Sequence, residues 1–155
     1  MELAENKQKI TDEHYMRLAL HEAKKALKAD EVPIAAILVE NNKIIAKAHN
    51  KTKHSGNVIG HAEKLVIENA LKSKTYLYDA TLYVTLEPCL MCCGMIILSR
   101  IGRVVYAASD PKAGGAGSIY NALLDKNFNH RPSLTKGILA KQASLLLKKF
   151  FKNKR

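Results

Sequence analysis

Two short motifs far apart in the chain have to meet at one point, and that requirement constrains the fold more than any other feature. The first is His61-Ala62-Glu63 and the second is Cys89-Leu90-Met91-Cys92. Two cysteines with two residues between them can both reach one metal ion, and a histidine supplied from elsewhere makes a third ligand. Three protein ligands leave the fourth tetrahedral position open to water, which marks a catalytic zinc site rather than a closed structural one. Pro88 fits the first turn of a helix, where its missing N–H costs nothing. Cys89 therefore opens one helix and His61 another. Helix N-termini carry partial positive charge and free N–H groups, which favour thiolate over thiol.

All three cysteines, Cys89, Cys92 and Cys93, fall within five positions. A disulfide framework would spread its cysteines to close large loops and would favour an even count. Cys-x-x-Cys also occurs in redox sites, but His61 and Glu63 favour metal. Cys93 leaves its helix about 100° round from Cys92, so it is expected as a packed core thiol and not as a fourth ligand. His14, His21, His49, His54 and His130 show no paired spacing and are expected in surface or structural positions.

The 155 residues, 47% of them hydrophobic, are expected to form a single domain spanning residues 1–155. Periodicity predicts an amphipathic helix from about Thr11, with Thr11 or Asp12 as cap, to Ala29, with Tyr15, Leu18, Ala19, Ala23, Ala26 and Leu27 at helical spacing. A buried strand over Pro33–Glu40, a turn at Asn41-Asn42 and a returning strand over Lys43–Asn50 make a hairpin. A polar loop over Lys51–Gly60 delivers His61. A helix from Ala62 to about Ser73 follows, with Leu65, Val66, Asn69 and Ala70 near one face. Then come a strand over Thr81–Leu86, a helix over about Cys89–Ser99, a strand over Arg103–Ala108, a glycine-rich loop over Asp110–Ser118, and a last helix from about Leu139 to the C-terminus. This order predicts an α/β fold in layers, with helices covering a central sheet.

The segment Met1–Ile10 is polar and lacks the apolar stretch of a signal peptide. The apolar run Ile34–Val39 falls far short of the ~20 residues that cross a bilayer. A cytoplasmic location with no membrane partner is expected. The formal charge of +11, from 25 Lys and Arg against 14 Asp and Glu, favours polyanionic partners. Lys141, Lys148, Lys149, Lys152, Lys154 and Arg155 have no acidic residue among them, which suits a nucleic-acid arm.

The same residues define a chemistry. Bound zinc lowers the pKa of its water from about 15.7 to about 7, so hydroxide is available at neutral pH. Hydroxide can attack an electron-poor ring carbon bearing an amino group. Glu63 then takes the water proton, passes it to a ring nitrogen and protonates the departing amine. The products are ammonia and a carbonyl.

The stretch from Asp79 to Cys92, continuing through Ser99–Tyr106, resembles the bacterial tRNA adenosine deaminases of the zinc-dependent cytidine deaminase superfamily. So do Glu31-Val32-Pro33-Ile34, His49-Asn50, Gly114–Ser118 and Asn129–Pro132. The resemblance implies a three-layer α/β/α cytidine deaminase-like fold with a central mixed sheet. It also implies one Zn2+ per subunit held by His61, Cys89 and Cys92, with Glu63 as proton shuttle. The implied reaction is hydrolytic deamination of adenosine to inosine at the wobble position (34) of tRNA. The implied partners are the anticodon stem-loop, with an ACG anticodon expected, and a second copy of the chain in a homodimer. Asn50, Asp110, Phe150 and Phe151 are implied to bind substrate, although ordinary helix packing accounts equally well for at least one of the two phenylalanines.

Three places depart from the family pattern. Ala36 stands where glycine is common, and its methyl is expected to tighten the pocket wall. Asn57-Val58-Ile59-Gly60 replaces the usual Asp-Pro-Thr-Ala at the mouth of the site. Lys64 follows the catalytic glutamate where an apolar residue is usual. An ammonium facing a metal would disfavour it, so Lys64 is expected to point outward or to form an ion pair.

Overall fold

The computed structural model describes residues 1–154. In chain order it contains α1 (Glu2–Lys28), β1 (Ala35–Glu40), β2 (Lys43–His49), α2 (Ala62–Ala70), β3 (Ala80–Leu86), α3 (Leu90–Ser99) and β4 (Arg103–Ala108). A 3-10 turn (Ala122–Leu124), β5 (Ser133–Lys136) and α4 (Ala140–Lys152) complete it. The strands form one mixed sheet in the order β2-β1-β3-β4-β5. β1 runs antiparallel to β2 and β3, whereas β3, β4 and β5 are parallel.

Strand side chains alternate between the two faces, and the sequence uses this to build two cores. Ala36, Leu38, Leu82, Val84, Val104 and Tyr106 point to one face and meet Val66 and Ile67 of α2 and Ile96 of α3. Ile37, Val39, Tyr83, Val105 and Ala107 point to the other and meet Tyr15, Met16 and Ala19 of α1 and Ala143 of α4. These are the three layers expected from the resemblance. Among the described residues, no helix is long and apolar enough to cross a membrane.

The hairpin turn is as expected: Asn41 and Asn42 both take left-handed backbone, with φ of 50° and 59°, which asparagine tolerates better than most residues. Five points need correction. α1 begins at Glu2, not near Thr11. Its first turns are exposed and show no apolar stripe, so periodicity misses them, while their Ala, Glu, Lys and Gln are good helix formers. Asp12 is consequently no cap. It is buried within the helix, where its carboxylate accepts two bonds from the Arg103 guanidinium at 2.7 Å and one from the Tyr83 hydroxyl at 2.9 Å. β5 is an unpredicted edge strand, and the buried face of α2 includes Ile67 while Asn69 is exposed. Finally, α4 ends at Lys152, and Arg155 of the basic arm lies outside the described residues.

The topology gathers five chain segments at one edge of the sheet. Parallel β3 and β4 both deliver their C-terminal ends there. Antiparallel β1 begins there, because Ala36 pairs with Val84, and β2 ends there, because His49 pairs with Ala35. The start of α2 is drawn to the same edge by the Ala62 N–H, which donates to the Asn50 side-chain oxygen at 2.9 Å.

Candidate active site

His61 and Cys89 are the N-cap residues of α2 and α3, both in extended backbone. The motifs therefore arrive as side chains at the starts of two helices, as their spacing implied. The Cys89 and Cys92 sulfurs each lie 3.6 Å from His61 Nδ1. The ligand atoms of these three residues all lie within 4.8 Å of one another, a group that could hold a metal ion. Zinc at about 2.0–2.1 Å from nitrogen and about 2.3 Å from sulfur, with tetrahedral angles, requires an N···S separation of about 3.6 Å. The donor set fits zinc in both type and spacing.

The electrostatics are those of a coupled cluster. Cys89 is the thiolate of the pair, its pKa brought down to about 4 by hydrogen bonds from the Cys92 thiol first and then from His61. Cys92 is pushed up by that same bond to Cys89 and by burial. His61 is raised, chiefly by its bond to Cys89. Glu63, only 4% exposed, is raised because burial penalises its charged form. A carboxyl lifted above its ordinary range suits a group that must both take and give a proton.

His61, Glu63 and Cys89 open into a cavity of about 380 Å3 that Asn50, Asp110, Val32, Ile34 and Leu86 also line. The sequence motif of the cytidine and deoxycytidylate deaminase zinc-binding region matches residues 9–108. The tRNA-specific adenosine deaminase of Bacillus subtilis (strain 168) is 47% identical over 146 residues, covering 93% of this chain and 91% of that protein. The tRNA-specific adenosine deaminase of Streptococcus pyogenes serotype M18 (strain MGAS8232) is 42% identical over 144 residues, covering 92% and 91%. The chain belongs to this deaminase family. A solved structure from work on A-to-I editing by tRNA:A34 deaminases at the wobble position of transfer RNA superposes with a TM-score of 0.82. It is 40% identical, over 86% of this chain and 99% of that one.

In the deaminase the other predicted residues fall into distinct positions. Asn50 is buried at the cavity wall with its Oδ1 committed to Ala62. Asp110 lines the cavity while its Oδ1 accepts from the Lys112 and Ala113 amides at 3.0 and 3.2 Å. The two phenylalanines divide: Phe150 is 8% exposed and packs, with Lys154 Nζ 5.5 Å from its ring centre, whereas Phe151 is 51% exposed. Phe151, Lys112, Lys148 and Leu147 wall a second cavity of about 680 Å3. That cavity shares Val32, Ile34, Leu86 and Asp110 with the first.

The three departures also have places. Lys64 Nζ bonds Glu68 Oε1 at 2.8 Å, one helical turn on, which is the ion pair expected of it. Ala36 belongs to the core under α2 and is not among the residues lining the cavity, so the expectation of a tightened pocket wall is corrected. A Cβ on Gly60 would come within 3.0 Å of the Lys51 carbonyl oxygen, which suits the tight closure of the 51–60 loop. Its ends are joined by the Lys51 N–H donating to the Gly60 carbonyl at 2.9 Å. Cys93 is fully buried, its thiol 3.7 Å from the Pro88 carbonyl, and stands outside the ligand group.

Sequence reasoning missed two buried glutamates that hold the loops around the cavity. Glu31 accepts from the Lys53 and His54 amides, at 3.0 and 2.7 Å, and from the His54 ring at 2.9 Å. Glu87 does the same for the loop after β4. An acidic residue within an apolar stretch, as in Leu86-Glu87-Pro88, is the signal that could have marked the second.

Proposed function

We propose that this deaminase hydrolyses adenosine to inosine at the wobble position (34) of tRNA. One observation carries the reading: His61 and Cys89 of the metal-ligand group share with Glu63 a cavity that continues into a second one bordered by Lys112, Lys148 and Phe151. A base can enter the first while the neighbouring backbone and bases meet cations and an aromatic ring in the second. Single-stranded loops give up a base to such a pocket at modest cost. The net charge of +11 suits a polyanionic substrate and is superfluous for a free base.

His61, Cys89 and Cys92 would hold one zinc per subunit. Zinc bound there supplies the Lewis acidity that makes water a nucleophile near neutral pH. Glu63 would carry one water proton to the ring nitrogen beside the attacked carbon, then take the proton left on the incoming oxygen and give it to the amine, which leaves as ammonia while the carbonyl forms. Asn50, its oxygen engaged, offers its amide N–H groups to the base, and Asp110 borders the same space. Phe151 is the stacking residue of the pair, while Phe150 supports the helix behind it. The whole chain, 1–155, acts as one cytoplasmic domain. Homodimerisation is supported by the exposed Leu90 and Leu98 of α3.

The test is inosine formation in an anticodon stem-loop carrying ACG, with Glu63→Ala as control. Wild-type conversion is expected, with none in the variant, which should keep its zinc and its RNA binding. No conversion by folded, zinc-loaded wild type would redirect the reading to free guanine or cytosine. Sedimentation of the same samples gives the oligomeric state, a dimer being expected.

A further inference from the structure

Glu87 sits between the end of β3 and the ligand Cys89, is 2% exposed, and turns its carboxylate toward the 110–118 loop. Its Oε1 accepts from the Asp110 N–H at 3.0 Å and from the Ser118 hydroxyl. Its Oε2 accepts from the Ala116 and Ser118 N–H groups at 3.1 and 3.0 Å. Three backbone amides drawn from nine residues of loop thus converge on one side chain. The loop also touches the ligand segment directly: the Gly115 N–H donates to the Pro88 carbonyl at 2.8 Å, and Gly114 pairs with Cys89 as an isolated bridge.

The fit leaves no spare room. A Cβ on Gly114 would lie 2.2 Å from Glu87 Oε2 and 2.6 Å from the Asp110 carbonyl oxygen. A Cβ on Gly115 would lie 3.0 Å from the Leu90 backbone. Both glycines are where they are because the loop backbone approaches the carboxylate and the start of α3 at contact distance. Asp110 and Ala113, carried by this loop, line the cavity that His61, Glu63 and Cys89 also line.

From this geometry, and on the deamination reading above, we infer that Glu87 is a positioning residue. Its carboxylate clamps the 110–118 loop to Pro88–Leu90 and so sets the distance between one substrate wall and the metal-binding cysteines. The role requires an acceptor at both oxygens, since each meets a backbone N–H donor. An uncharged amide of the same size cannot supply it, because its NH2 would face an N–H whichever way it was turned. A clamp of this kind acts on substrate placement and leaves the ligand atoms alone.

The experiment is Glu87→Gln in the full-length protein. Amide hydrogen exchange at Asp110, Ala116 and Ser118 should rise at least tenfold, while zinc content stays at the wild-type level. KM for the ACG stem-loop should rise at least tenfold, with a smaller fall in kcat. Glu87→Asp, which keeps the charge, should recover part of the KM. Should Glu87→Gln fail to fold, Ser118→Ala removes one donor and should give a smaller rise in KM and in exchange. Unchanged exchange and KM in the folded variant would overturn the inference. So would loss of zinc with normal exchange at the three amides, because Glu87 would then act on the metal. If wild type itself leaves the stem-loop unconverted, the proposed reaction fails, and the exchange and zinc measurements still decide the clamp.

Discussion

Cys89 and Cys92 share one proton: the first is held as thiolate by the second, and the second is kept as thiol by the first. Zinc needs both sulfurs deprotonated and His61 neutral, so binding must expel at least the Cys92 proton. The sign follows directly. Acid supplies the competitor, so zinc affinity should fall as pH falls, by about tenfold per unit for one released proton. His61, whose own pKa is raised, should steepen the fall further on the acid side. Chelator competition at several pH values checks this, and an affinity flat between pH 6 and 8 would contradict the shared proton.

Among the elements, a buried polar cluster set into the apolar layer joins α1 to the sheet. Asp12 accepts from Arg103 and Tyr83, and Arg103 also donates to Thr135 of β5 at 2.9 Å. One carboxylate thus organises α1, β3, β4 and the edge strand. Removing one member of a buried ion pair strands the other, at a cost of about 3–5 kcal/mol. Asp12→Ala should therefore lower Tm by roughly 10 °C while leaving zinc content intact, as calorimetry and metal analysis would show. The joint explains which elements were legible. The strands β1, β3 and β4 fall within two residues of expectation because burial on both faces writes itself into residue type as a near-continuous apolar run. β5 has only four residues, none buried, so neither length nor pattern announces it. The first turns of α1 bury nothing, and only propensity betrays them.

For the whole molecule, two consequences follow from charge. A +11 chain meeting an RNA hairpin releases counterions, so RNA affinity should fall steeply and linearly in log–log terms as salt rises. Filter binding from 50 to 300 mM salt would reveal a shallow slope if the basic residues play no part. The second consequence concerns acid. Burial pushes Glu31 and Glu87 upward, but their hydrogen bonds outweigh it: His54 and Lys53 for Glu31, and Ser118, Asp110 and Ala116 for Glu87. Both carboxyls end below their ordinary 4.5. A depressed carboxyl contributes stability above the unfolded-state value and loses it as pH falls through the folded one. Stability should hold down to about pH 4.5 and then decline, first in the loops over 51–60 and 110–118. Amide exchange at acid pH would show whether those loops open before the sheet.

The grouping of His61, Cys89 and Cys92, which could hold a metal ion, was legible in the sequence because metal chemistry names its residues and fixes their spacing. The loops around it were not. Glu31 and Glu87 bind backbone N–H groups, which every residue but proline carries, so their partners leave no mark on residue type. Phe150 and Phe151 show a related limit. Adjacent on a helix, they differ by about 100° in direction, and only packing decides which one faces inward.

The 51–60 loop is tied at its base by Lys51 to Gly60 and suspended from Glu31 through Lys53 and His54. Its remaining residues, Ser55–Ile59, are exposed. A change between His54 and Gly60 is felt in two places at once: Val58 lines the cavity, and the Ile59 carbonyl accepts the His61 N–H at 2.8 Å, so the rim of the pocket and the helix start that carries His61 are tied to one another.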